Sequence, residues 1–134
     1  MPPDPRDATP IATVEEFRKA LLRVRDTGGI SQSDLNVFRA FCRAPDCILT
    51  APKLAEAADL ASWSEANLRF GILARRIGEA LGFTPSKRPD GSIRWWQSAA
   101  FGADEDESST GYFQWTLRPE LVRALREMKW VSAA

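Results

Sequence analysis

The residues best suited to chemistry lie in the first turns of one predicted helix, which spans 62–82. Ser64, Asn67 and Arg69 can hydrogen-bond the edges of DNA bases, because asparagine pairs with adenine, arginine with guanine and serine with either. Trp63, beside them, can offer an aromatic ring to a base. Recognition helices read DNA with their N-terminal residues. We therefore predict Trp63, Ser64, Asn67 and Arg69 as base-reading residues.

The same residues also have structural explanations. Asn67 could hydrogen-bond the neighbouring backbone, and Trp63 could pack on Phe70 as a hydrophobic staple. The sequence holds five tryptophans, and a small domain needs large aromatic side chains in its core. Trp63 and Trp95 are the candidates for contact with a modified base, with a core position as the alternative.

Positive charge is concentrated in the middle of the chain, although 18 Lys and Arg balance 18 Asp and Glu overall. The segment 69–94 contains six basic residues and two acidic ones. A basic segment that follows a recognition helix can meet phosphates. The predicted phosphate contacts are Arg75, Arg76, Lys87, Arg88 and Arg94. The alternative is that these are ordinary solvated side chains.

The segment 103–110 has the opposite character, with four acidic residues and no basic one. A phosphate backbone would repel these carboxylates. We expect a solvent-exposed loop. The alternatives are a hairpin tip held away from DNA and a contact with a basic protein partner. The spacing of a calcium-binding EF-hand is missing.

Histidine is absent from the sequence. Its absence excludes Ser-His-Asp and Cys-His nucleophiles, HExxH zinc sites and nucleases built on a catalytic histidine. Cys42 and Cys47, the two cysteines, are too few for a four-ligand zinc site. We expect reduced structural thiols, with a short-loop disulfide or a reactive thiol as the alternatives. No pair of acids is placed by a motif. We therefore expect no enzymatic activity, no metal and no cofactor.

The length of the chain, 134 residues, suits a single domain. We assign 13–134 to that domain and 1–12 to a flexible, proline-rich leader. No apolar run approaches the length of a membrane span, and the first seven residues lack the apolar core of a signal peptide. We therefore expect a cytoplasmic protein.

Hydrophobic spacing and capping residues predict five helices. Four of them begin at a hydroxyl residue: Thr13, Ser31 or Ser33, Thr50, and Ser62. The fifth begins at a proline, at 119. The first is expected to stop at the glycine pair 28–29, and the second before the proline at 45.

Strands are predicted at 92–98 and 111–117, where aromatic residues are frequent. The two would form a hairpin, and 47–49 could add a brief third strand. The fold class is therefore predicted to be α+β and mostly helical. More specifically, we predict a winged helix-turn-helix with extra N- and C-terminal helices and a wing of two to three strands.

The fourth helix has three distinguishable faces at 100° per residue. One stripe is apolar and should face the core: Ala66, Phe70, Leu73, Ile77, Ala80 and Leu81. A neighbouring strip of small residues includes Gly71 and Gly78. It predicts tight packing against another element, with close approach of a ligand or a DNA backbone as the alternative. Leu68 and Ile72 lie off the core stripe, beside the outward Arg75.

Two segments, 49–57 and 66–77, resemble a module found in bacterial restriction-type proteins. In that module a T-x-x-x-L-A helix precedes an N-L-x-[YF]-G-x-L-x-R-x-I helix, and an aromatic hairpin and a last helix follow. The resemblance covers about 50–130, and the matching motif positions include Asn67, Arg69, Phe70 and Gly71.

Modules of this kind often precede an HNH nuclease domain, and they resemble winged-helix readers of modified DNA. The resemblance implies a double-stranded DNA partner carrying a methylated base, with N6-methyladenine as the mark. This chain has no histidine from which an HNH site could be built. We therefore expect a standalone protein that reads DNA without cutting it.

A second hypothesis comes from the apolar residues of the fourth helix that lie off the core stripe. Leu68 and Ile72 could form an apolar surface for another protein. The chain would then be a protein-interaction or dimerisation module that does not bind nucleic acid.

Overall fold

The computed structural model describes residues 9–102 and 114–132. In these ranges the protein is α+β and mostly helical, as predicted, with a small three-stranded antiparallel sheet. The helices are α1 (Val14–Gly28), α2 (Gln32–Arg43), α3 (Ala51–Ala57), α4 (Trp63–Leu81) and α5 (Pro119–Glu127). The strands are β1 (Ile48–Thr50), β2 (Ala100–Gly102) and β3 (Gln114–Leu117), and two 3₁₀ helices span Pro45–Cys47 and Trp95–Ser98.

The predicted helix starts are confirmed. Thr13, Ser31, Thr50 and Ser62 each accept a hydrogen bond from the backbone N–H three residues later. At the start of α4 the Glu65 carboxylate accepts from the backbone N–H of Ala61, one residue before the cap, and not from that of Ser62. These local bonds satisfy backbone donors that a helix leaves free at its start.

The sheet has the order β1-β3-β2, so the last strand of the chain is central. Leu49 lies opposite Trp115 in the first pair, and Ala100 lies opposite Leu117 in the second. Two later strands do pair antiparallel, but the first of them is β2 at 100–102 and not the predicted strand 92–98. The predicted acidic loop at 103–110 and the predicted strand residues 111–113 lie outside the described residues.

The prediction of a strand at 92–98 is wrong. Trp95–Ser98 is a 3₁₀ helix, and the strand follows it as β2. A half-buried strand alternates inward and outward residues, whereas all five positions from 96 to 100 are buried. Gln97 is held inward because its Oε1 accepts hydrogen bonds from the backbone and side chain of Ser86, at 3.0 and 2.9 Å.

The core centres on α4, which packs against α1, α3 and the 3₁₀ helix Trp95–Ser98. Of its predicted core stripe, Ala66, Phe70, Leu73 and Ile77 are buried, while the last two residues are partly buried. Phe70 contacts the rings of Phe41 from α2 and Trp115 from β3, with centroids 5.0 and 4.7 Å away. One aromatic cluster therefore joins α2, α4 and the sheet.

Residues 11 and 12 of the predicted leader pack against this core. Ala12 is buried and Ile11 is partly buried against it. The carbonyl of Thr9 accepts a hydrogen bond from Arg118 Nη1 at 3.1 Å, and Arg118 Nε donates to the Gln97 carbonyl at 2.9 Å. None of the described helices has the length and apolar character that crossing a membrane requires.

The two glycines inside α4 have different surroundings. A Cβ on Gly78 would collide with the Ser98 side chain and lie 3.2 Å from the Trp95 ring. The predicted tight packing is therefore confirmed at Gly78. A Cβ on Gly71 would meet no atom within 4 Å, so packing within the described chain does not explain this glycine.

We predict opposite effects on stability for the two matched substitutions. Gly71→Ala should raise the free energy of unfolding by about 1 kcal/mol, because alanine favours the helix. Gly78→Ala should lower it by about 2 kcal/mol, because the added methyl overpacks the contact with the 3₁₀ helix. Urea denaturation of both variants tests this. Equal changes of the same sign would contradict the packing described for α4.

Both cysteines are free thiols, as expected. Burial raises the pKa of the Cys42 thiol from 9.0 to about 11; the neighbouring Cys47 adds to the rise and Arg126 opposes it. Because only the thiolate is nucleophilic, Cys42 should be unreactive near neutral pH.

Alkylation of the Cys47→Ser variant by iodoacetamide measures Cys42 alone. At pH 8 the folded variant should react at least about tenfold more slowly than the urea-unfolded chain, because burial, the largest cause of the raised pKa, does not depend on Cys47. The rate for the folded variant should keep rising about tenfold per pH unit beyond pH 9. A rate that levels off at pH 9 would show that burial does not perturb this thiol.

Candidate nucleic-acid interface

One face of α4 is turned away from the core and carries exposed side chains, among them Ser64, Asn67 and Arg75. The large hydrophobic residues that are exposed within the described ranges also lie on this helix. Trp63 is 52% exposed, Leu68 64% and Ile72 53%. The face is therefore polar in part and apolar in part, and it is continuous over about three turns of the helix.

A shallow groove of about 320 Å³ runs between this face and the segment 88–96. The residues that α4 contributes to it are Asn67, Leu68, Gly71, Ile72 and Arg75. The opposite wall includes Arg88, Ile93 and Trp95. Residues that the sequence separates by about twenty positions therefore meet in one depression.

Arg75 is held against one wall of the groove. Its guanidinium carbon lies 5.4 Å from the centre of the Trp95 ring, and its Nε lies 3.6 Å from Glu79 Oε1. A cation over an aromatic face at an exposed site is worth about 0.5–1 kcal/mol. These weak contacts orient the charge without removing it from solvent.

The turn before Trp95 carries two more of the predicted cations. Lys87 is exposed, and its backbone pairs with that of Ile93. Arg88 Nη1 donates to the Ile93 carbonyl at 3.3 Å. Hydrogen bonds from the side chain and backbone of Ser92, and then the charge of Arg88, lower the pKa of Asp90. The turn is therefore held in shape by its own polar groups.

Arg69 and Arg76 lie on a different side of α4, facing the start of α2. There the buried Asp34 carboxylate lies 3.9 Å from Arg69 Nη1 and 3.8 Å from Arg76 Nη1. Arg76 Nη2 also donates to the carbonyls of Val24 and Gly29, at 3.1 and 2.8 Å. Arg76 therefore ties α4 to the end of α1 rather than facing a phosphate.

Arg94 is buried, with only 8% of its surface exposed. Its Nη1 donates to the Lys87 carbonyl at 2.7 Å and contacts Ser86 Oγ at 3.3 Å. Burial on these partners removes Arg94 from the candidate phosphate contacts. Arg76 is likewise no longer a candidate phosphate contact, because it is hydrogen-bonded to α1. Arg69 is no longer a candidate base reader, because it faces Asp34.

The remaining predicted residues lie on or beside one surface. Asn67, Arg75, Arg88 and Trp95 line the groove. Trp63 and Ser64 are exposed in the first turn of α4, and Lys87 is exposed in the turn opposite. Of the six cations counted between 69 and 94, three therefore lie at this surface: Arg75, Lys87 and Arg88.

Asp34, which pairs with two arginines of α4, is not among the residues predicted from the sequence. Its position, three residues after a capping serine, indicates the box at the start of α2, and its carboxylate does accept from the Ser31 N–H at 3.0 Å. Nothing in that local pattern indicates two arginines more than thirty residues later. The tertiary packing of α2 against α4 alone brings them together.

A larger hollow of about 660 Å³ lies between α2 and α3 and is lined by side chains of both charges, among them Arg43, Lys53, Glu56 and Asp59. It holds none of the predicted site residues. No family model, curated protein or solved structure matches the chain. The site is therefore interpreted from its own geometry.

Adjacent arginines of α4 should differ sharply in their contribution to stability. Arg76→Met should lower the free energy of unfolding by about 2 kcal/mol, because two backbone carbonyls and Asp34 lose a charged partner. Arg75→Met should lower it by only about 0.5–1 kcal/mol, because its contacts with Trp95 and Glu79 are exposed. Urea denaturation compares the two. Equal losses would contradict the bracing role of Arg76.

Proposed function

We propose that this protein is a non-enzymatic winged-helix protein that binds double-stranded DNA through the exposed face of α4. One observation carries the proposal. Helix α4 follows α3 after a short turn, and its exposed face presents Asn67 next to a groove bordered by Arg75 and Arg88. Base-reading groups at the centre of a recognition surface and cations at its edge suit the major groove and the phosphates beside it.

The order of the elements supports the winged-helix part of the proposal. In such a domain a helix and a short strand precede a helix-turn-helix, and a β-hairpin follows it. Here α2 and β1 precede α3 and α4, and β2 and β3 pair as antiparallel neighbours. α1 and α5 are then the extra helices, and α4 takes the recognition position.

The proposal gives each remaining residue a role. Ser64 and Asn67 would read base edges, and Arg75, Lys87 and Arg88 would contact phosphates. Trp63 and Trp95 remain the candidates for contact with a modified base. Selectivity for N6-methyladenine is supported by the resemblance to modified-DNA readers alone.

Reversing the charge at the rim of the groove tests the proposal. The Arg75→Glu/Lys87→Glu variant should bind a labelled duplex at least tenfold more weakly, and its dependence of log K on log salt should be shallower by about two. The matched control is Lys19→Glu/Arg23→Glu, which makes the same charge change on exposed residues of α1.

Fluorescence anisotropy at several salt concentrations provides the measurement. Equal losses in the two variants would show that only total charge matters, and would contradict the assigned surface. Matched duplexes, unmodified and bearing N6-methyladenine or 5-methylcytosine, test the modification. Equal affinity for all three would discard the modification reader and keep the DNA-binding protein.

A protein-interaction module is the second candidate, and the exposure of Trp63, Leu68 and Ile72 favours it. Apolar side chains exposed on one helix can mark a protein contact. The absence of binding to any duplex at low salt would favour this candidate over the first.

A further inference from the structure

We propose that Leu68 and Ile72 make the protein selective for pyrimidine 5-methyl groups in the major groove. Its preferred DNA would then carry thymine beside the adenine that Asn67 reads. This inference rests on the proposed DNA-binding function and adds the class of sequence that the surface would select. Neither the resemblance nor the predicted base-reading set assigns a role in reading bases to these two residues.

The two side chains lie in solvent at the edge of the groove. Leu68 and Ile72 are 64% and 53% exposed, and both border the groove with Asn67. They are one helical turn apart, which is about 6 Å along the helix axis. Successive base pairs rise by about 3.4 Å, so the two side chains would reach methyl groups about two base pairs apart.

The helix backbone next to Leu68 and Ile72 carries no side chain at Gly71. Gly71 lines the groove together with Leu68 and Ile72, and a Cβ there would meet no atom within 4 Å. Short side chains let a helix approach a flat surface closely enough for its neighbours to make contact. The apolar pair therefore projects beyond the backbone around it and can reach the floor of a DNA groove.

Basic side chains lie near the apolar pair Leu68 and Ile72. Arg75 and Arg88 border the same groove, and Lys87 is exposed in the adjacent turn. A partner that matches this arrangement is apolar at its centre and anionic at its edges. The major groove has this character, because methyl groups and base edges form its floor and phosphates form its walls.

A second copy of the chain matches less well. A two-fold contact through this face would bring the same patch together with itself. With Lys87, the two arginines of the groove outnumber the acidic Glu79 and Asp90 beside them, so each copy would present a net positive charge to the other, and like charges repel. The charge pattern therefore favours an anionic partner over self-association.

The test compares two labelled A·T-rich duplexes of the same sequence, one with thymine and one with uracil at every thymine position. Uracil keeps the hydrogen-bonding groups and lacks only the methyl. A buried methyl group is worth about a fourfold change in affinity. We expect the uracil duplex to bind about four- to fifteenfold more weakly in fluorescence anisotropy.

The Leu68→Ala/Ile72→Ala variant should bind both duplexes with the affinity that the parent shows for the uracil duplex. The matched control, Leu68→Met/Ile72→Met, keeps apolar side chains on this face and should retain a preference for thymine. Thermal unfolding checks that each variant is folded, which we expect because both positions are exposed.

The outcomes distinguish a failure of methyl selectivity from a failure of DNA binding. Equal binding of thymine and uracil duplexes by the parent would overturn methyl selectivity and leave DNA binding in place. Discrimination that persists in the alanine variant would overturn the role of these two residues. The absence of binding to either duplex at low salt would overturn both. Sedimentation showing a dimer that the alanine variant abolishes would then assign the face to a second copy.

Discussion

The contact among Phe41, Phe70 and Trp115 is the interaction on which the rest of the structure depends. It joins α2, α4 and the central strand β3 in one cluster, with ring centroids 4.7 to 6.4 Å apart. Because Phe70 must point into this cluster, the rotation of α4 about its axis is set. The residues on the opposite side of the helix, Leu68 and Ile72 among them, are therefore left facing solvent.

The charge of the exposed surface differs from the charge of the sequence segment that forms it. Six cations lie between 69 and 94, yet Asp34 faces two of them, and Arg94 is buried on backbone and hydroxyl oxygens. Half of the apparent basic patch therefore stabilises the fold. The proposed interface is correspondingly less basic than the count predicts, and it depends more on Asn67 and on apolar contacts than on charge alone.

The sequence was sufficient for features that depend on nearby residues. Hydroxyl caps located the helix starts, and a helical projection located the core stripe of α4. It failed where distant residues decide. The segment around Trp95 has the composition of a strand, but Gln97 bonds back to Ser86 and the chain turns into a 3₁₀ helix. Arg76 likewise does not point to the proposed interface, because it donates hydrogen bonds to carbonyls at the end of α1.

The surface proposed to bind DNA is the exposed face of α4 together with the turn opposite it. The most direct measurement is an NMR titration of the ¹⁵N-labelled protein with a short duplex at low salt. Amide shift changes should be concentrated in 63–75 and 87–95. Shift changes concentrated in α1 or α5, with those two segments unaffected, would contradict this assignment.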